Sequence, residues 1–124
     1  MRVKICGITQ PQQGVAIAQL AATKSETSPT EITLALGFIC VERSPRYVNP
    51  QQIKTILESL PASIDTVGVF ADATPETIVR AITVAHLTAV QLHGAESPDF
   101  CHQLRQVIPS QIEIIKAFRI KTPD

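Results

Sequence analysis

The chain has 124 residues, is 44% hydrophobic and 18% charged, and balances 11 basic against 11 acidic side chains. That combination excludes an intrinsically disordered chain, which pairs low hydrophobicity with high net charge. Neutral charge, four Phe, one Tyr and no Trp also exclude a nucleic-acid binder, which needs a basic footprint and stacking faces, and give no electrostatic case for an anionic membrane.

The first predicted strand is Arg2–Cys6. The segment Met1 to Gln10 lacks the apolar run of about 7–15 residues that a signal peptide carries. Val15, Ile17, Ala18, Ala21 and Ala22 then repeat at helical spacing. Thr23 to Thr30 (TKSETSPT) is polar, contains Pro29, and is expected to be a surface loop, a tolerated insert before the second strand. That strand, Ile32–Cys40, leads into the longest apolar run, Leu34 to Val41, far short of the ~20 residues that span a bilayer. Three further strands are predicted at Asp65–Ala71, Thr88–His93 and Glu113–Ile120, rich in β-branched and aliphatic residues. Between them run three helical stripes: Ile53, Ile56, Leu57 and Leu60; Ile78, Ile82 and Ala85; and Phe100, Leu104, Val107 and Ile108.

The helix starts repeat. Asn49-Pro50, Thr74-Pro75 and Ser97-Pro98 each place a capping side chain before a proline at the first helical position, where the missing N–H has no partner to lose. Asn49 with Gln52 fits a capping box, and Thr9-Gln10-Pro11 is a looser version of the same start. The order β-α-β-α-β-α-β-α-β calls for an α/β fold of parallel strands joined by right-handed crossovers. Thr122-Pro123-Asp124 has the form of Ser97-Pro98-Asp99, so the chain is expected to stop where a fifth helix would begin.

Three cysteines, Cys6, Cys40 and Cys101, are an odd number without short spacing, against a disulfide framework or a zinc knuckle. Reduced thiols and the missing leader lead to the expectation of a cytoplasmic protein. In parallel βα folds ligands bind at the carboxyl ends of the strands. There, period two puts Lys4 with Cys6 on one face and Gln91 with His93 on one face, and Lys116, opposite Ile115 and Ala117 on the fifth strand, is expected on the same interior face. A lysine beside a thiol favours the thiolate, which makes Cys6 a candidate base or nucleophile, although most free cysteines are small core residues. Arg43 and Arg46 lie in the loop after the second strand, and their planar forks suit a carboxylate or phosphate. Adjacent Cys101 and His102 diverge on a helix, which argues against a metal pair there.

Lys4-Ile-Cys-Gly-Ile-Thr9, Leu36-Gly-Phe38, Ser44-Pro-Arg-Tyr-Val48, Val67-Gly-Val-Phe70, Val90-Gln-Leu-His-Gly94 and Ile115-Lys-Ala-Phe118 follow in order. In these motifs the chain resembles the phosphoribosylanthranilate isomerase family, from Met1 to about Ile120. The resemblance implies a partial (β/α)8 TIM barrel holding strands 1–5 and helices 1–4, as a single incomplete N-terminal domain. It implies an Amadori rearrangement in tryptophan biosynthesis, on a small phosphosugar-anthranilate substrate, with no cofactor and no metal. It matches Cys6 to the catalytic base, Arg46 to the carboxylate ligand, and Gln91 and His93 to substrate-site positions. In the family the general acid is an aspartate ending strand six, and later loops hold the phosphate. The expectation is therefore a truncated chain, inactive alone, whose open sheet edges would allow self-association. The alternatives are a noncatalytic α/β interaction module, a half-barrel needing a complementary chain, and Schiff-base chemistry at Lys4 or Lys116.

Overall fold

Branched aliphatic runs form strands and proline-started amphipathic stretches form helices, in strict alternation. The order is β1 (Arg2–Cys6), α1 (Pro11–Ser25), β2 (Thr33–Ile39), α2 (Pro50–Leu57), β3 (Asp65–Phe70), α3 (Pro75–Ala85), β4 (Ala89–Leu92), α4 (Pro98–Val107) and β5 (Glu113–Lys116). The computed structural model describes residues 2–25, 33–61 and 64–118. Its strands form one sheet in the order β1-β2-β3-β4-β5, each neighbouring pair parallel. Parallel neighbours in chain order, each joined by a helix, are the pattern of a βα barrel, of which this is a part.

The Xaa-Pro starts behave as their chemistry requires. Asn49 Oδ1 accepts the Gln52 N–H at 2.8 Å, and Gln52 Oε1 accepts the Asn49 N–H at 2.8 Å, which completes the capping box. Thr74 Oγ1 accepts the Thr77 N–H at 3.2 Å, and Ser97 Oγ the Phe100 N–H at 3.1 Å. α1 starts differently. Gln13 Oε1 accepts the N–H groups of Thr9 at 2.8 Å and Gln10 at 3.1 Å, so its cap comes from inside the first turn.

Several boundaries differ from the sequence expectation: β2, β3 and β4 each stop one residue early, at Ile39, Phe70 and Leu92, and β5 stops at Lys116 with Ala117 and Phe118 outside the strand. α1 runs to Ser25, so Thr23, Lys24 and Ser25 are helical rather than part of a loop; residues 26–30 of the expected insert lie outside the described residues, as does the Thr122-Pro123-Asp124 tail. His86 is the C-cap of α3 in the left-handed conformation, φ 55°. There it ends the helix just ahead of β4.

The register divides the sheet into two faces. Lys4 pairs with Ala35, Gly37 with Val67, Val67 with Ala89 and Gln91 with Ile115. Parallel partners point the same way, so these residues share one face. On the other, Leu36, Phe38, Phe70, Val90 and Leu92 are buried against Ile53 and Ile56 of α2, Ile78, Ala81, Ile82 and Ala85 of α3, and Leu104 of α4. Each such side chain contributes on the order of 1.5–3 kcal/mol by leaving water. The first face has only a small core, Ala35, Val67 and Ala89 with Ile115 against them. Stability resides on the helix side, which leaves the carboxyl half of the other face free to be polar.

Candidate active site

β1 ends at Cys6, and the chain turns at Gly7, whose φ of 90° is a conformation that favours glycine. The N–H groups of Gly7 and Ile8 both donate to Gly37 O, at 3.0 and 3.2 Å, and tie the turn to β2. The Cys6 thiol is exposed. Its partner in the register is Gly37, where an added Cβ would stand 2.9 Å from Cys6 Sγ. Glycine at 37 therefore leaves the thiol its space.

Arg46 is brought to the same spot by its loop. The Ser44 N–H donates to Val41 O at 2.9 Å, the Tyr47 N–H to Ser44 O at 3.1 Å and the Val48 N–H to Ile39 O at 3.0 Å. The Arg46 N–H donates to Ser44 Oγ at 3.2 Å. The segment is thus folded back beside β2, and the guanidinium rests over the turn that follows β1: a Cβ on Gly7 would lie 3.1 Å from Arg46 Nη1. Only glycine at 7 lets the arginine approach the backbone next to Cys6.

Gln91 lies on the Cys6 face of β4, where its Oε1 accepts a hydrogen bond from Lys4 Nζ. His93 follows the end of β4 with its imidazole exposed and its backbone N–H bonded to Phe70 O at 2.8 Å. Cys6, Arg46, Gln91 and His93, singled out from the sequence, all line one cavity of about 1160 Å³ at the carboxyl end of the sheet. Lys4, Arg43 and Lys116 line it too, against one carboxylate, Glu96. Such a charge balance favours an anionic ligand.

The structure corrects the placement of Lys116. In the register it pairs with Leu92, so it shares the helix-side face of Val90 and Leu92 rather than the face of Gln91. From the strand end its Nζ reaches Gly94 O at 2.6 Å and Glu96 Oε1 at 2.8 Å. Glu96 escaped the sequence reading altogether, though an acidic residue in a strand-to-helix loop two positions after Gly94 was a usable signal. Its side chain is only 2% exposed. Oε2 accepts the Asp72 N–H at 2.8 Å and Oε1 the Gly94 N–H at 2.9 Å. Burial pushes the Glu96 pKa up, but the hydrogen bonds from Lys116 and backbone N–H groups, together with the Lys116 charge, outweigh it and hold the carboxyl below its ordinary value.

The other two cysteines differ from Cys6. Cys40 is half-buried at the end of β2, and burial first, with the charge of Cys6 adding, pushes its thiol up to about 12 against a weaker opposing bond with the Val69 backbone. Cys101 is half-buried on α4 and His102 beside it is exposed. Among the described residues no three His, Cys, Asp or Glu side chains stand close enough to share a metal ion. No described helix is long and apolar enough to cross a membrane.

Residues 3–123 match a family model described as N-(5'phosphoribosyl)anthranilate (PRA) isomerase. The chain is 57% identical over 122 residues to the N-(5'-phosphoribosyl)anthranilate isomerase of Crocosphaera subtropica, covering 98% of this chain and 52% of that protein. It is 56% identical over 122 residues to the Nostoc punctiforme protein of the same name, again covering 98% and 52%. Among solved structures, the Thermus thermophilus phosphoribosyl anthranilate isomerase superposes with a TM-score of 0.77 at 33% identity, over 100% of this chain and 55% of that one. Another, described in complex with reduced 1-(o-carboxyphenylamino)-1-deoxyribulose 5-phosphate, gives a TM-score of 0.72 at 34% identity, over 94% and 52% of the two chains. The chain spans about half the length of the curated relatives it matches.

Proposed function

Because the chain belongs to the N-(5'-phosphoribosyl)anthranilate isomerase family, we propose that its polar cavity is the base-bearing, carboxylate-binding part of an isomerase site. The substrate is N-(5-phosphoribosyl)anthranilate and the product 1-(2-carboxyphenylamino)-1-deoxyribulose 5-phosphate, a step of tryptophan biosynthesis. The observation that carries this reading is the convergence of Cys6, Arg46, Gln91 and His93 on one cavity.

The reaction divides into an acid-assisted ring opening and a base-assisted tautomerisation. An acid protonates the furanose ring oxygen; the C1–O bond breaks with its electrons going to that oxygen, and the nitrogen lone pair forms a C1=N iminium. The Cys6 thiolate then takes the C2 proton. The C2–H electrons become the C1=C2 bond while the iminium pair returns to nitrogen. The resulting enolamine gains a proton at C1 and loses one from the C2 hydroxyl to give the ketone. Arg46 holds the anthranilate carboxylate in its fork, and its seat over Gly7 sets that ring beside Cys6. Gln91 holds Lys4 on the Cys6 face of the sheet, inside the same cavity. His93 contacts substrate at the mouth.

We assign the first proton to a group other than the described residues of this cavity. Among its lining residues Glu96 is the one carboxylate, and three donors engage it. An acid–base group is worth ~10²–10⁴-fold in rate, so these five strands by themselves turn over poorly. The outer edges of β1 and β5, each paired on one side only among the described strands, are where a second chain would add.

Titration with reduced 1-(o-carboxyphenylamino)-1-deoxyribulose 5-phosphate tests the site. The chain binds it, Arg46→Ala weakens binding roughly tenfold or more, and Cys6→Ser leaves it nearly unchanged because the thiol acts on a proton. No binding by the wild-type chain overturns the proposal. Turnover by the 124-residue chain equal to that of a full-length relative overturns the claim that the acid must come from elsewhere.

A further inference from the structure

Two loops and the end of a strand meet at Glu96. It belongs to the loop between β4 and α4, and it accepts the Asp72 N–H from the loop after β3 and the ammonium of Lys116 from the end of β5. The grip is reciprocal: Asp72 Oδ1 accepts the Ala95 N–H at 2.9 Å. Asp72 itself takes a left-handed conformation, φ 53°, which aspartate tolerates better than most side chains. The loops are in close contact, since a Cβ on Gly94 would lie 2.7 Å from Asp72 Cγ. A carboxylate only 2% exposed would be costly if either oxygen lacked a partner. Here two backbone N–H groups and one ammonium supply both.

His93 sits inside this arrangement. Its own N–H is tied to Phe70 O at 2.8 Å, and the next N–H, of Gly94, is tied to Glu96 Oε1 at 2.9 Å. Lys116 holds the Gly94 carbonyl as well, at 2.6 Å. The backbone on both sides of His93 is therefore anchored to neighbouring strands. We propose that Glu96 is a positioning residue: it locks the loops after β3 and β4 to the end of β5 through Asp72, Gly94 and Lys116, and so sets the direction of His93 at the cavity mouth. What His93 contacts there rests on the proposed function; the lock itself does not.

Glu96→Gln is the informative substitution. It preserves size, but whichever way the amide turns, its NH2 faces at least one donor. Amide exchange at Gly94 is expected to accelerate roughly tenfold or more, while β1 and β2 amides keep their wild-type rates and the His93 ring resonances shift. Affinity for reduced 1-(o-carboxyphenylamino)-1-deoxyribulose 5-phosphate falls several-fold. In a His93→Ala background the same substitution adds less than about twofold, because its effect passes through that ring. Unchanged Gly94 exchange, or full additivity in the double variant, overturns the proposal. Should Glu96→Gln unfold, Lys116→Gln makes the same test with a donor that keeps its N–H but loses its charge; again unchanged exchange overturns it. If the wild-type chain does not bind the analogue, the proposed function fails, and Gly94 exchange with the His93 resonances decides the positioning role alone.

Discussion

Lys4 on the first strand donates its ammonium hydrogen bond to the side-chain oxygen of Gln91 on the fourth. On a flat sheet three strand spacings would separate them by roughly 14 Å, beyond what two side chains standing off the surface span. The bond therefore reports strong curvature, with the polar face on the inside. It also closes the floor of the cavity beneath Cys6 and His93.

Replacing Gln91 by Leu leaves Lys4 without that acceptor in a partly buried site. A loss of about 1 kcal/mol in unfolding free energy is expected, at the low end for bonds to charged groups because both ends are still partly hydrated. Urea titration of the two proteins measures it. Equal midpoints and slopes would show that the sheet holds its curvature without this bond.

The three thiols separate by exposure. Iodoacetamide at pH 8 followed by peptide mapping should label Cys6 first and leave Cys40, with its thiol pushed up to about 12, unmodified while the protein is folded. Gly37→Ala puts a methyl 2.9 Å from Cys6 Sγ and must displace it, so the Cys6 labelling rate changes while helix content does not. Equal labelling of Cys6 and Cys40 would contradict the placement of both.

Acid should act through Glu96. Its folded-state pKa lies below the ordinary 4.5, so the folded protein gives up this proton more readily than the unfolded one. The contribution is fully present above about pH 4.5 and is lost as pH falls through the folded value. The stability gap between wild type and Glu96→Gln is expected to stay constant from pH 7 to 5 and to shrink below. A gap that widens on acidification would reverse the sign of the assignment.

The helix caps are the simplest case. Thr74→Ala removes the acceptor of the Thr77 N–H and should cost about 1 kcal/mol. Serine at 74, which keeps an oxygen there, restores most of it in thermal unfolding.

Local chemistry alone determined a good deal. Xaa-Pro pairs marked three helix starts because a proline at the first helical position forfeits nothing, and the side chain before it can close the first turn. Strand period two put Cys6 with Lys4 and Gln91 with His93, since neighbours in one strand alternate whatever lies around them. The motif KICGIT and the run QLHG carry the family, and that resemblance is what singles out Arg46 from Arg43 in the loop after β2.

Tertiary structure decided the rest. Periodicity says which residues of one strand share a face, but the parity between strands comes from the hydrogen-bonded register, and this moved Lys116 to the helix side opposite Leu92. The same holds for contacts across long sequence separations. Glu96 with Asp72 and Lys116, Arg46 over Gly7, and Lys4 with Gln91 arise because curvature and packing bring distant loops together. Alternation along a backbone is a local property that any stretch of chain carries in itself; the partners of a buried charge exist only once the strands are side by side.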